Sequence, residues 1–269
     1  MMANNSLTQQ SYLQKRKRHK DTVNLFRFLI LIGFFILWEV TTRVGILDDF
    51  IFSSPSRVAS TFGSMVKDRS IFRHVGVTLY ETLLSFILVV IVGICTAVLL
   101  WLSRKLAEIL EPYLVVLNSL PKSALAPLLI VWLGATTRTI IVAGMSVAIF
   151  GTIISLYTCF QEVDSDKVKL VYTLGGTKKH VLFKVVLPST IPMILSTMKV
   201  NIGLCLVGVI IGEFISSKQG LGYLIIYGSQ VFKLDWVIMS IIILCVIASG
   251  LYLLINWVEK RVCERKFMK

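Results

Sequence analysis

Six apolar runs, each about as long as a lipid bilayer's hydrocarbon core is thick, constrain this chain more than any other feature. Crossing roughly 30 Å of hydrocarbon takes about 20 residues of helix, and only helices or closed barrels satisfy their own backbone there. The runs cover residues 25–44, 78–101, 112–133, 140–160, 191–214 and 237–258 of the 269. They predict an all-α, polytopic fold of six transmembrane helices, in three parts: a basic tail over 1–23, a membrane domain over 24–258, and a second basic tail over 259–269.

Composition agrees with that reading. Hydrophobic residues make up 55% of the chain and charged ones 16%, against about 25% charged in a soluble domain. The first run follows Lys15, Arg16, Lys17, Arg18, His19 and Lys20 and has no small-residue cleavage site after it, so it reads as a retained anchor. Four of the five cysteines lie inside apolar runs and Cys263 in the basic tail, with no Cys-x-x-Cys pair. That spacing suits neither a disulfide framework nor a zinc site.

A net charge of +13 in a soluble chain would point to nucleic acid. Here the basic residues sit between the runs, and their distribution carries an orientation signal. Seventeen Lys and Arg lie in the segments before the first run, at 102–111, at 161–190 and after 258, against seven at 45–77, 134–139 and 215–236. The positive-inside rule places both termini and the 161–190 loop in the cytoplasm, and no nucleic-acid partner is needed to explain the charge.

Pro121, Lys122 and Pro127 interrupt the third run. Proline at membrane depth is tolerated where neighbouring protein or a water-filled cavity compensates its missing donor. The stretch from Asn118 through Pro121 to Pro127 therefore reads either as a lining of an aqueous pathway or as a helix entering late after a surface turn.

The 161–190 loop predicts two short helices around a glycine. Asp164 or Ser165 can cap the first, and Val168, Val171 and Leu174 fall on one face at spacing three. Gly175 and Gly176 can adopt the positive φ that ends it. Thr177 can cap a second helix that stops at Leu187–Pro188. An apolar stripe on so short a helix must be buried against something, either the chain's own membrane domain or a cytosolic partner.

Thr173-Leu174-Gly175, nine positions of mixed basic and apolar character, then Val185-Val186-Leu187-Pro188 and Ile191-Pro192, resemble the EAA loop of the membrane subunits of type I ABC importers, whose form is roughly E-A-A-x-x-x-G followed at fixed distance by I-x-L-P. Ser54-Pro55-Ser56, Leu128–Gly134, Glu213 and Gly220-Leu221-Gly222-Tyr223-Leu224 resemble, in order and spacing, the nitrate, sulfonate and taurine branch of that superfamily. The likeness spans nearly the whole chain. One departure is Lys169-Leu170-Val171, which stands where Glu-Ala-Ala is expected.

The resemblance implies a permease subunit of an ATP-driven importer. Two copies of the chain would form the pathway, two cytosolic ATPase subunits would drive it, and an extracytoplasmic binding protein would deliver a small solute, a sulfonate-like organic anion or a vitamin precursor. It also implies that Asp164, Val168, Lys169, Val171, Leu174, Gly175, Leu187 and Pro188 form the ATPase-coupling loop. The basic Lys169 would then imply an ATPase groove of matching acidic character, or a contact made without that residue. Cofactors are expected in the partner only, as ATP with Mg. The chain itself has no G-x-x-x-x-G-K-[ST] segment to hold phosphates and no nucleophile–base or carboxylate constellation. A self-sufficient secondary transporter or channel is the competing class, although no clear inverted repeat is present.

Polar residues within the runs supply further candidates. Lys199 and Asn201 sit nearer the inner half of the fifth run as candidates for the pathway, Lys199 as a charge that steers an anionic substrate or as a lysine that snorkels or bonds to a loop. Glu39, Glu81 and Glu213 lie near outer ends, as satisfied interfacial carboxylates or as parts of a gate. Gly208 and Gly212 form a G-x-x-x-G that serves packing within the chain or across a dimer.

Overall fold

The computed structural model describes residues 7–45 and 52–267, with the side chains of 7–14, 31 and 263–267 left aside. Expectations that fall on 1–6, 46–51 and 268–269, and on the Cys263 thiol, lie outside the described residues.

The first helix, α1 (Leu7–Arg43), is longer than its apolar run. Most of the expected N-terminal tail is part of it, because the Lys- and Arg-rich stretch contains good helix formers and no breaker. Its Glu39 carboxylate receives Arg43 Nε at 2.7 Å, Ser56 Oγ at 2.9 Å and Ser56 N–H at 3.1 Å, which makes it the satisfied interfacial group. Ser54, with Pro55 at the first helical position, caps the amphipathic α2 (Pro55–Lys67).

The core is three helices: α3 (Ser70–Leu102), α6 (Thr137–Gln161) and α9 (Leu187–Ser216), with α6 in contact with both others. Small residues set how closely they approach. A Cβ on Gly208 would sit 2.8 Å from Ala143 O, Gly144 Cα and Val147 Cγ2, and one on Gly212 would sit 3.1 Å from Ile140 Cα. Both glycines of the G-x-x-x-G therefore pack within the chain, against α6. On the other side of α6, a Cβ on Gly93 would lie 2.9 Å from Thr152 Cγ2, and Ser85 Oγ donates to Ile141 O at 3.0 Å.

Two expectations about the spans are corrected. The third run is two helices, α4 (Arg104–Ser119) and α5 (Lys122–Leu133), which meet at 99° around Leu120–Pro121. Among the described residues there are thus five helices long and apolar enough to cross a membrane, or six spans if this bent pair is one. Pro127 lies inside α5 and does not end it. Nor does the second loop helix stop at Leu187–Pro188. After α7 (Ser165–Thr173), α8 (Lys178–Val181) passes through a π-helical turn at Leu182–Val186 into α9, giving one helical run from Lys178 to Ser216. In that turn Leu187 N–H bonds to Leu182 O, five residues back. The wider turn makes room for the proline ring, which would clash with the carbonyl four residues back in a regular helix.

The outer end is closed by α10 (Leu221–Gln230) and the start of α11 (Leu234–Phe267). Leu221 and Leu224 are buried there among Val58, Met65, Ile71, Leu206 and Met239, and Thr61 Oγ1 donates to Asp235 Oδ2.

Candidate functional site

Three features along α9 bear on function, taken from the loop end outward. At the loop end, Asp164 accepts from Asp166 N–H at 2.9 Å and caps α7. The helix ends in a Schellman motif: Gly175 N–H bonds to Tyr172 O at 3.0 Å and Gly176 N–H to Val171 O at 2.8 Å. Gly175 takes φ +77°, with nothing within 4 Å of the Cβ it lacks. Gly176 is closed in, since a Cβ there would meet Val171 O at 2.6 Å. The demand on Gly176 comes from close approach to the helix it follows, which its neighbouring residue types do not announce.

The stripe divides between two surfaces. Val168 and Val171 lie against a cluster of Ala97, Leu156, Phe160, Val181, Leu182 and Val186 at the inner end, with Leu187 beside them. Leu174 turns away at 78% exposure, as do Leu170 and Tyr172, so α7 shows three large apolar side chains outward. Lys169 is exposed too, in an i,i+3 pair with Asp166 at 3.2 Å. The following segment is fixed to α3: Lys178 Nζ donates to Leu102 O at 2.8 Å and lies 5.5 Å from the Trp101 ring centroid. His180 Nδ1 accepts from Thr177 N–H at 3.1 Å.

At mid-length, the elbow between α4 and α5 exposes residues 118–121. Lys122 Nζ donates to Leu117 O at 2.8 Å and Asn118 O at 2.6 Å, serving carbonyls that the helix end leaves free. Irregular backbone at membrane depth occurs where it is buried in protein or lines a water-filled cavity, and not against lipid. Across from the elbow is Gly151, whose missing Cβ would be 3.3 Å from Asn118 Oδ1. Gly151 opens a cleft of about 260 Å³ between α6 and α9 with Ser155, Ser196, Thr197 and Asn201 in its wall. Asn118 and Asn201 thus flank one place. Lys199 is turned elsewhere, into an ion pair of 2.5 Å with Glu259 of α11, and is not a free charge beside Asn201.

At the outer end, Glu213 is fully buried, deeper than an interfacial carboxylate. Its Oε1 accepts from Thr78 Oγ1 at 2.7 Å and its Oε2 from Gly222 N–H at 2.6 Å, while Leu221 N–H donates to Thr78 Oγ1 at 2.9 Å. Gly220 N–H completes the set with His74 Nδ1 at 3.1 Å. The unsatisfied N–H groups that begin α10 are therefore held by one carboxylate on α9 and two side chains of α3, where a helix N-terminus favours negative charge. The glycines of Gly220-Leu221-Gly222 leave room for it: a Cβ on Gly220 would fall 2.3 Å from Glu213 Cδ. Glu81, 1% exposed, is buried in the same region of α3.

Residues 89–264 match the family described as binding-protein-dependent transport system inner membrane component. The chain belongs to that family. This multi-pass inner-membrane component is 28% identical over 240 residues to a probable ABC transporter permease protein of Haemophilus influenzae, covering 89% of this chain and 97% of the relative. It is 24% identical over 197 residues to the taurine transport system permease protein of Escherichia coli strain K12, covering 72% and 70%. Among solved structures, a bacterial ABC transporter involved in the import of the acidic polysaccharide alginate has a chain of the same fold, with TM-score 0.65, 14% identity, and coverage of 93% of this chain and 99% of that one. The all-helical type I permease fold implied by the sequence motifs is the fold found.

Proposed function

We propose that this family member is the pathway-forming subunit of an ATP-driven importer, working as two copies with two cytosolic ATPase subunits and an extracytoplasmic binding protein, and carrying a small organic anion. ATP and Mg belong to the ATPase partner. The observation that carries the reading is the construction of α7. It is capped at both ends, its Val168 and Val171 are seated on the membrane domain, and Leu170, Tyr172 and Leu174 are left exposed beside a helical run that reaches the outer clamp. A rigid, two-faced helix of this kind transmits a discrete displacement from a docked partner, whereas a secondary transporter has no use for an outward apolar face on a cytoplasmic loop. Lys169 contributes by meeting an Asp or Glu in the ATPase groove. The taurine permease relative supports a cargo that bears a sulfonate group.

Co-expression with the ATPase encoded beside this chain, followed by detergent extraction, pull-down and measured stoichiometry, tests the assembly. A two-plus-two complex that is lost in Leu174→Asp is expected. A stable membrane chain that never retains an ATPase, with uptake surviving in its absence, would instead establish the secondary transporter.

A further inference from the structure

Two acids are buried together beneath the start of α10, and only one of them is bonded. Glu213 is fully buried and accepts from Thr78 Oγ1 and Gly222 N–H. Glu81, on α3 one turn inward of Thr78, is 1% exposed, and neither of its carboxyl oxygens has a hydrogen-bond partner among the described residues. The Glu213 carboxyl and Thr137 of α6 stand next to it. The outer end offers no counter-charge, since no Lys or Arg pairs with either acid among the described residues. On α3, Arg73 donates to Gln219 Oε1 at 3.1 Å and His74 Nδ1 is taken by Gly220 N–H. Arg138 of α6 and Lys218 before α10 are exposed, Tyr223 of α10 stacks on His74, and Asp235 of α11 accepts from Thr61. A carboxylate buried without donors or counter-charge costs far more than a neutral carboxyl group, and two carboxylates sharing one dry site do not both ionise. Glu213 has the donors and the helix N-terminus that favour a charge. Glu81 has neither.

We infer that Glu81 and Glu213 form a proton-binding site, which holds one proton on Glu81 while α10 is clamped and gives it up to water when the clamp opens. The proton removes the repulsion between the two acids and gives Glu81 a donor to offer the Glu213 carboxylate. When the clamp opens, water reaches Glu81, and a hydrated Glu ionises above about pH 4.3. Above that pH the clamped state therefore binds one more proton than the open state, so the clamp weakens as pH rises, until Glu81 ionises in the clamped state as well. One proton amounts to a tenfold change per pH unit. The outer clamp is thus a latch that acid closes. His74 acts with the opposite sign: once protonated, its Nδ1 no longer accepts from Gly220 N–H, so acid weakens that bond. The assignment holds for any cargo and does not depend on the importer reading.

The experiment uses the complete chain in lipid nanodiscs and has two readouts. Infrared spectra at pH 7 are compared between the unsubstituted chain and Glu81→Gln. A protonated-carboxyl C=O band that disappears in Glu81→Gln is expected, and the lack of any such difference would overturn the site. Hydrogen exchange at the amides of Leu221, Gly222 and Tyr223, corrected for the intrinsic rate at each pH, is then followed with the middle of α6 as reference. The background is His74→Asn, which keeps an acceptor for Gly220 N–H and does not titrate. Between about pH 5.5 and 7, protection is expected to fall about tenfold per pH unit, and adding Glu81→Gln is expected to flatten the profile. Glu81→Leu, of similar volume and with no amide to satisfy, is measured beside it and is expected to be equally flat. A flat profile with Glu81 present, or a slope that persists in both neutral variants, would overturn the proposal.

Discussion

Replacing Glu213 should loosen one helix end by an amount that its bonds foretell. Glu213→Ala removes the acceptor of Thr78 Oγ1 and of Gly222 N–H, leaving two buried donors at about 1–3 kcal/mol each. The total of about 2–6 kcal/mol is roughly a 30- to 25,000-fold rise in local opening. Glu213→Gln keeps a carbonyl oxygen for Gly222 N–H and can donate to the Thr78 oxygen, so about 1 kcal/mol, or some fivefold, is expected. Hydrogen exchange read at the amides of Leu221, Gly222 and Tyr223 in nanodiscs, with the middle of α6 as internal reference, measures the effect where it arises. Gly220→Ala should match Glu213→Ala, because the new Cβ falls 2.3 Å from Glu213 Cδ and φ is +107°. Unchanged protection in Glu213→Ala would refute the reasoning and assign the anchoring of α10 to Leu221 and Leu224 alone.

Other substitutions probe the remaining joints. Gly208→Leu should lower thermal stability in detergent by about 1–3 kcal/mol or more through overpacking against α6, while Gly203→Ala, with nothing within 4 Å, should leave melting unchanged or raise it slightly. Gly175→Val forces a β-branched residue to φ +77° at a cost of about 1–3 kcal/mol and should abolish ATPase-coupled uptake without preventing membrane insertion, whereas Leu174→Asp should block ATPase retention with no change in melting. Lys199→Met should destabilise by about 1–3 kcal/mol by stranding Glu259, and the exchanged pair Lys199→Glu with Glu259→Lys should recover most of it. Failure of the exchange to recover stability would show that the pair does not hold α11 to α9.

What could be read in the amino-acid order and what could not separate along physical lines. Apolar length and basic bias depend on composition over a window, so the spans were legible, as were the Asp164 cap and the positive φ of Gly175, which are local. The elbow was half legible: Pro121 announced a break, but the 99° angle depends on Lys122 reaching two carbonyls of the preceding helix. Continuity through Pro188 was not legible, because a proline at that point ends a helix unless a wide turn precedes it. Glu213 read as an interfacial acid because its partners, Thr78 and Gly222, come from other elements. One signal was available, since two glycines straddling a leucine just after a buried acid leave a space for that acid's side chain. Lys199 read as either a steering charge or a snorkelling or loop-bonded lysine for the same reason, its partner Glu259 being 60 residues away. The Gly208 and Gly212 pair showed close packing in its spacing but not which helix it meets.

The uninterrupted run from Lys178 to Ser216 crosses α6 at Gly208, off centre. At 1.5 Å per residue, about 45 Å of rod lies on the loop side of that crossing and about 12 Å on the other. If the rod rocks about this fulcrum, the two ends swing in opposite senses with a gear ratio of roughly four to one. A 4 Å stroke at the loop then becomes about 1 Å at Ser216 and about 0.7 Å at Glu213, comparable to the change in donor–acceptor distance that weakens a hydrogen bond. Gearing down of this kind trades travel for force, so a broad sweep at one face sets or releases a single polar latch at the other.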